Sequence, residues 1–189
     1  MQISIYPGSF DPFTEGHLDI VKKALLISDK LYIVVTNNSS KKHMFTLEER
    51  AQMILDATKD LDLSDSKQVV ILSFQGIISN LAKKLNAQLM IRGLRNHVDL
   101  SYELDIEPFT KATLPRAVTV YFTAEKEHID TSSSLVRNFV ISNNVEQAEK
   151  VIPMPARYLF RRLALQRINY ELSQDTSFTL ISSSDVKGS

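Results

Sequence analysis

Cysteine is absent from the 189 residues, which excludes disulfides, thiolate-held metals and a cysteine nucleophile. Charge of one sign is missing too, because 22 Lys and Arg stand against 22 Asp and Glu. Such a chain lacks the general field that draws nucleic acid or an anionic membrane, and leaves room only for a local basic pocket. No apolar run approaches the ~20 residues of a membrane span. The first residue leads straight into a strand-like stub, not into a signal peptide. The expectation is a cytoplasmic protein with no nucleic-acid or membrane partner.

Several chemical signatures are also missing. There is no Walker A lysine motif, no G-x-G-x-x-G and no G-x-S-x-G elbow, which removes support for P-loop, dinucleotide-fold and serine-hydrolase readings. His17, His43, His97 and His128 lack metal-ligand spacing, and no acidic cluster resembles a cation cage. A Mg²⁺, if used, would be held by substrate phosphates and water.

What is present is an alternation of strand-like and helix-like segments. The β-branched or apolar runs 2–6 (QISIY), 31–36 (LYIVVT), 69–74 (VVILSF), 88–91 (QLMI) and 117–122 (AVTVYF) predict five strands. Between them, helical spacing predicts helices from Gly16 to about Lys30, from the capping box TLEE to about Thr58, and over 77–85. A fourth helix beyond RGLR is expected to be halted or kinked by Pro108. TSSSLVRNFV caps another, and Pro155 opens one to about Ile168. The fold class expected is α/β, a parallel five-stranded sheet with helices on both faces, followed by C-terminal helices. Residues 1–168 would form the domain, and the Ser-rich 169–189 a tail.

In such sheets ligands bind beyond the carboxyl ends of the strands. Four suggestive segments follow strands: PGSFDPFTEGH, NNSSKK, RGLR and TSSS. Gly8 and Gly16 would let backbone approach a ligand closely. His17 falls at a helix start, where anions are attracted and an imidazole can donate to a phosphoryl oxygen. It would equally serve as a surface cap. Lys41 could swing into a phosphate site, whereas Lys42 reads as a solvated face. Arg92 and Arg95 could clamp a phosphate from two directions, or could simply pair with Asp99 and Glu103. Thr131 to Ser134 could feed donors to an anion, or cap a helix.

Together these segments resemble the nucleotidylyltransferase superfamily with its T/H-x-G-H motif, here Thr14, Glu15, Gly16 and His17. The form G-x-F-D-P-x-T-x-G-H, with SKKHMFTLEER, IRGLR and SSSLVR in order, is similar to the bacterial phosphopantetheine adenylyltransferase family. The likeness spans residues 3–164. It implies a Rossmann-like fold, a hexamer, and transfer of AMP from ATP to 4'-phosphopantetheine, giving dephospho-coenzyme A and pyrophosphate. Coenzyme A is the implied feedback ligand, and Mg²⁺ the implied cofactor.

The resemblance also assigns roles. His17, Lys41 and Arg92 would be catalytic. Ser9, Phe10, His17, Gly93, Arg95, Glu103, Ser132, Ser133 and Ser134 would bind ATP. Ser9, Lys41, Gly76, Ile77 and Arg92 would bind the acceptor. The segment LDIEPFTKATLPR departs from the family pattern, with Phe109 and Thr110 in place of a Met–Asn pair, so the acceptor is the open point. A sister transferase with another phosphorylated acceptor and a nucleotide- or coenzyme A-binding protein without turnover are the competing readings.

Overall fold

A computed structural model describes residues 1–37, 42–128 and 131–174 of the chain, the side chains of Leu172 and Gln174 excepted. Lys41 and residues 175–189 of the expected tail lie outside the described residues. Five strands, β1 (Ile3–Gly8), β2 (Lys30–Thr36), β3 (Gln68–Phe74), β4 (Leu89–Leu94) and β5 (Val118–Thr123), form one sheet in the order β3-β2-β1-β4-β5. All pairings are parallel. The helices are α1 (Glu15–Leu26), α2 (Leu47–Thr58), α3 (Ile78–Lys84), α4 (His97–Thr113), α5 (Ser133–Ile141), α6 (Val145–Glu149) and α7 (Arg157–Gln174).

Alternation along the strands sorts the core into two layers. Leu31, Ile33, Val35 and Ile91 join Phe13, Val21, Met53, Val136 and Phe160 in the larger cluster. Ile5, Val34 and Met90 point to the other face, with Ala82, Ala87 and Leu114. That second face is thinly covered, since α4 contributes no buried residue. Val98, Tyr102 and Phe109 on α4 are each more than 60% exposed.

The strand order reverses at β1, whose neighbours are β2 and β4. The β1–β2 ladder runs the full length of β1, from Ile3 to Gly8, but the β1–β4 register holds only Ser4↔Leu89 and Ile5↔Met90. Beyond Ile5 the two strands part and open a crevice, as expected at a topological switch point. Pro7 fits this opening. Gln88 N–H donates to Ile3 O, so the odd residues of β1 turn their polar groups toward β4. The N–H that Pro7 lacks would thus face the crevice, where no ladder partner is left.

The chain differs from expectation at several elements. Helix α4 is not halted at Pro108 but continues to Thr113. Both Pro108 and Leu104, whose carbonyl loses its partner, are on the exposed side, where water can replace the missing bond. Thr110 Oγ1 on Ile106 O and Thr113 Oγ1 on Phe109 O brace the same turns. β4 extends to Leu94, so Arg92 and Gly93 are strand residues and not part of a loop. α6 was not expected at all, being only one turn long; and α7 continues past Ile168 to Gln174.

Candidate active site

A cavity of about 740 Å³ fills the crevice. Its floor is the turn from Tyr6 to His17. Phe10 has φ 48°, a left-handed conformation costly for a residue with a side chain. Its ring folds back over Gly8, where an added Cβ would stand 2.7 Å from it. Gly8 therefore makes room for the Phe10 ring, and it also lines the cavity.

His17 occupies the third position of α1, where a capping box usually has Glu or Gln. Its ring reaches back, and the Thr14 N–H donates to Nδ1 at 3.1 Å, with Thr14 Oγ1 2.9 Å from the same nitrogen. A ring nitrogen that accepts from an amide carries no proton, so the hydrogen sits on Nε2, at the other edge of the ring. Phe13 stacks on the imidazole at 5.5 Å and Phe10 meets it edge-on at 5.2 Å. Desolvation among these rings, and then the Arg95 charge, lower its pKa to about 3. His17 thus lines the cavity as a neutral, oriented N–H donor.

The opposite wall comes from β4 and α4. Arg92 Nε lies 3.2 Å from Glu103 Oε2, and Arg95 grips Asp99 through Nε and Nη2 at 3.0 and 3.1 Å. The expected pairing of the arginines with Asp99 and Glu103 is formed, and both arginines also line the cavity. Burial raises the Glu103 carboxyl above its ordinary range, against the pull of Arg92.

The third wall is the start of α5. Ser132 is its N-cap and accepts from Leu135 N–H at 3.1 Å. Ser133 Oγ donates to Pro12 O, and Ser134 Oγ accepts from Arg137 Nη2. Of these hydroxyls only Ser133 spends its proton, on Pro12 O; Ser134 accepts and keeps its O–H free, beside the unpaired N–H groups of the first turn, where an anion could be met. Thr131 Oγ1 accepts from Gly16 N–H at 3.2 Å and ties α1 to this wall. A Cβ on Gly16 would lie 2.6 Å from that oxygen. Gly16→Ala should therefore separate His17 from α5 and destabilise the fold by about 1–3 kcal/mol, despite the ~1 kcal/mol that alanine gains in helix propensity. Urea unfolding checks this; wild-type stability would refute it.

Of the residues singled out from the sequence, Ser9, Phe10, His17, Arg92, Gly93, Arg95, Glu103, Ser133 and Ser134 line the cavity. Ser132 stays behind as the cap. Gly76 and Ile77 stand apart, exposed at the end of β3 and the start of α3. Lys42, read as a solvated residue, is exposed but lies on the rim. Asp11 and Arg137 are charged lining residues that were given no role from the sequence. Asp11 accepts from Met44 N–H and Phe45 N–H, and Arg137 donates to Asp11 O at 2.6 Å. Arg137 stands three residues after Ser134, and this one-turn helical spacing was the available signal.

A crevice lined by His17, Arg92 and Arg95 at the switch point of a 3-2-1-4-5 sheet defines an α/β protein with its ligand site at the carboxyl ends of the strands. The chain matches the cytidylyltransferase-like family model over residues 5–139, most of its length, and belongs to that family of nucleotidyltransferases. Within it the chain belongs with the phosphopantetheine adenylyltransferases. It is 37% identical to that of Thermotoga neapolitana over 161 residues, 85% of this chain and 96% of that one. It is 42% identical to that of Lachnoclostridium phytofermentans over 137 residues, 72% and 81% of the two chains. The fold also resembles a nicotinic acid mononucleotide adenylyltransferase from Plasmodium falciparum, with a TM-score of 0.61 at 16% identity, covering 90% of this chain and 96% of that one.

Proposed function

We propose that the chain transfers AMP from ATP to 4'-phosphopantetheine. The acceptor phosphate oxygen attacks the α-phosphorus in line, the bond to the β-phosphate oxygen breaks, and pyrophosphate leaves with that electron pair. The attacking oxygen is already anionic, so no enzyme nucleophile or strong base is needed. Catalysis then consists of bringing two polyanions together and stabilising the charge between them. The observation that carries this reading is the oriented Nε2–H of neutral His17 at the crevice, with Arg92 and Arg95 on the facing wall.

In this reading His17 donates to the α-phosphoryl oxygen, and Arg92 holds the acceptor phosphate beside Ser9. Arg95, the Phe10 and Gly93 backbone and the α5 N-terminus hold the nucleotide, with Arg137 beside the β- and γ-phosphates. Lys41 is proposed to bridge the two phosphates. Gly76 and Ile77 would meet the pantetheine arm only at the outer end of the site. Among the described residues no three metal-ligating groups gather. The cavity carboxylates are engaged: Asp11 by two backbone N–H groups, Asp99 by Arg95 and Glu103 by Arg92. This donor set suits a Mg²⁺ held by substrate phosphates and water, where it would neutralise phosphate charge.

Coenzyme A carries both the pantetheine arm and the adenylate, and is the feedback ligand this cavity would take. A cytoplasmic hexamer is part of the same proposal, and the unburied apolar face of α4 supports assembly.

The test is pyrophosphate release from ATP with a panel of phosphorylated acceptors. Release with 4'-phosphopantetheine alone is the expected result. Release with another acceptor, such as nicotinate mononucleotide, would make the chain a sister transferase, and none at all would make it a binder.

A further inference from the structure

Arg50, on α2, is 1% exposed and does not line the cavity. Its Nε donates to Phe45 O and Thr46 O at 3.0 and 3.2 Å, Nη1 to Ser9 O and Thr36 O at 2.6 and 3.0 Å, and Nη2 to Asn37 Oδ1 at 2.8 Å. Every one of these acceptors is neutral. Among the described residues Arg50 forms no ion pair. The Asp11 and Glu48 carboxylates favour its charge only from a distance, burial opposes it more strongly, and a well-packed apolar side chain would serve core stability better. The arrangement makes sense as a geometric device.

Its acceptors show what is held. Ser9 O belongs to the peptide that links Ser9 to Phe10, the residue at φ 48°. In a trans peptide the carbonyl and the following N–H point in opposite directions. Drawing Ser9 O inward to Arg50 turns the Phe10 N–H outward, to the side where Ser9 and Phe10 line the cavity. Among the described residues that N–H has no acceptor. Thr36 O and Asn37 Oδ1 fix the end of β2 to the same guanidinium, so the β1 and β2 rims are set at a constant separation.

We infer that Arg50 is a positioning residue that holds the Ser9–Phe10 turn so that the Phe10 N–H is presented to a nucleotide phosphate. This rests on the adenylyltransferase reading of the cavity. The experiment compares wild type, Arg50→Lys and Arg50→Met by calorimetric titration with ATP alone, by kcat and KM for both substrates, and by urea unfolding. Lysine keeps the charge but cannot reproduce the planar fork that spans the acceptors.

Both variants should bind ATP about 10–100-fold more weakly, the scale of losing a charge-assisted contact, at a temperature where each is fully folded. The KM for the acceptor should move less than that for ATP. A folded Arg50→Lys with wild-type ATP affinity and kcat would overturn the inference. A loss that only tracks the unfolded fraction would overturn it equally. If Arg50→Met does not fold, Arg50→Lys decides alone. Wild type that binds ATP without releasing pyrophosphate would refute the acceptor assignment and leave the titration to decide on Arg50. Wild type that does not bind ATP refutes both.

Discussion

His17→Ala should lower kcat by about 10²–10³-fold, the cost of deleting one preorganised donor to developing charge. ATP affinity should fall by less, because the arginines and the α5 N-terminus remain. The size of the effect follows from how the ring is held. The Thr14 N–H fixes Nδ1 as the acceptor, and Phe10 and Phe13 fix the ring plane, so Nε2–H is oriented before substrate arrives. His17→Gln, which can offer an N–H but has no aromatic ring to lock between the phenyl groups, should recover part of the loss. A near-normal kcat in His17→Ala, measured by pyrophosphate release, would remove His17 from the mechanism.

The same burial predicts a pH signature. An imidazole that titrates near 3 in the folded chain stays neutral across the working range, so kcat should show no inflection near 6.5 from this residue. The unfolded chain, by contrast, takes up a proton on His17 as pH falls through about 6.5. Stability from this group is therefore complete above that value and is lost progressively as pH falls toward 3. Between pH 7 and 5 wild type should lose up to about 2 kcal/mol by this route, less to the extent that the cavity edge of the ring stays hydrated. His17→Ala should lack that loss, and urea unfolding at the two pH values measures the difference.

How legible the chain was depended on whether the physical signal was local. Runs such as LYIVVT and VVILSF announce buried parallel strands, and α2 announces itself through the Thr46–Glu49 capping box, which is formed as expected. Strand ends were harder. Pro7 and Gly8 look like the start of a turn, yet both stay in register with Val34 and Val35, because a missing N–H is harmless where β1 faces the crevice. Pro108 misled for a related reason: its missing hydrogen bond falls on exposed helix surface. The hydroxyls of TSSS were legible as a helix cap, which Ser132 forms. Arg50 was not, because the acceptors that reveal it come from β1, β2 and the residues before α2, segments that only the tertiary fold brings to one point.

Arg92→Met should raise the KM for the phosphorylated acceptor by about 10²-fold, the scale of losing a charge-assisted contact to phosphate in a partly buried site. Arg92→Lys should do less harm, because a point charge remains but the fork does not. The argument turns on Glu103. In the wild type its carboxyl is raised by burial and restrained by Arg92. Without Arg92 the restraint goes and the pKa rises further, leaving a buried carboxylate where the proposed acceptor phosphate would sit. A carboxyl whose folded pKa lies above its unfolded value contributes stability that is complete at low pH and lost as pH rises through the folded pKa. The stability deficit of Arg92→Met relative to wild type should therefore shrink on going from pH 8 to pH 5, and its acceptor KM should improve over the same range as Glu103 takes up a proton. Arg92→Met/Glu103→Gln, which removes the stranded charge, should restore stability at pH 8 without restoring the wild-type KM. If the double variant recovered full acceptor affinity, Arg92 would be no more than the partner of Glu103, and its place on the acceptor phosphate would be wrong.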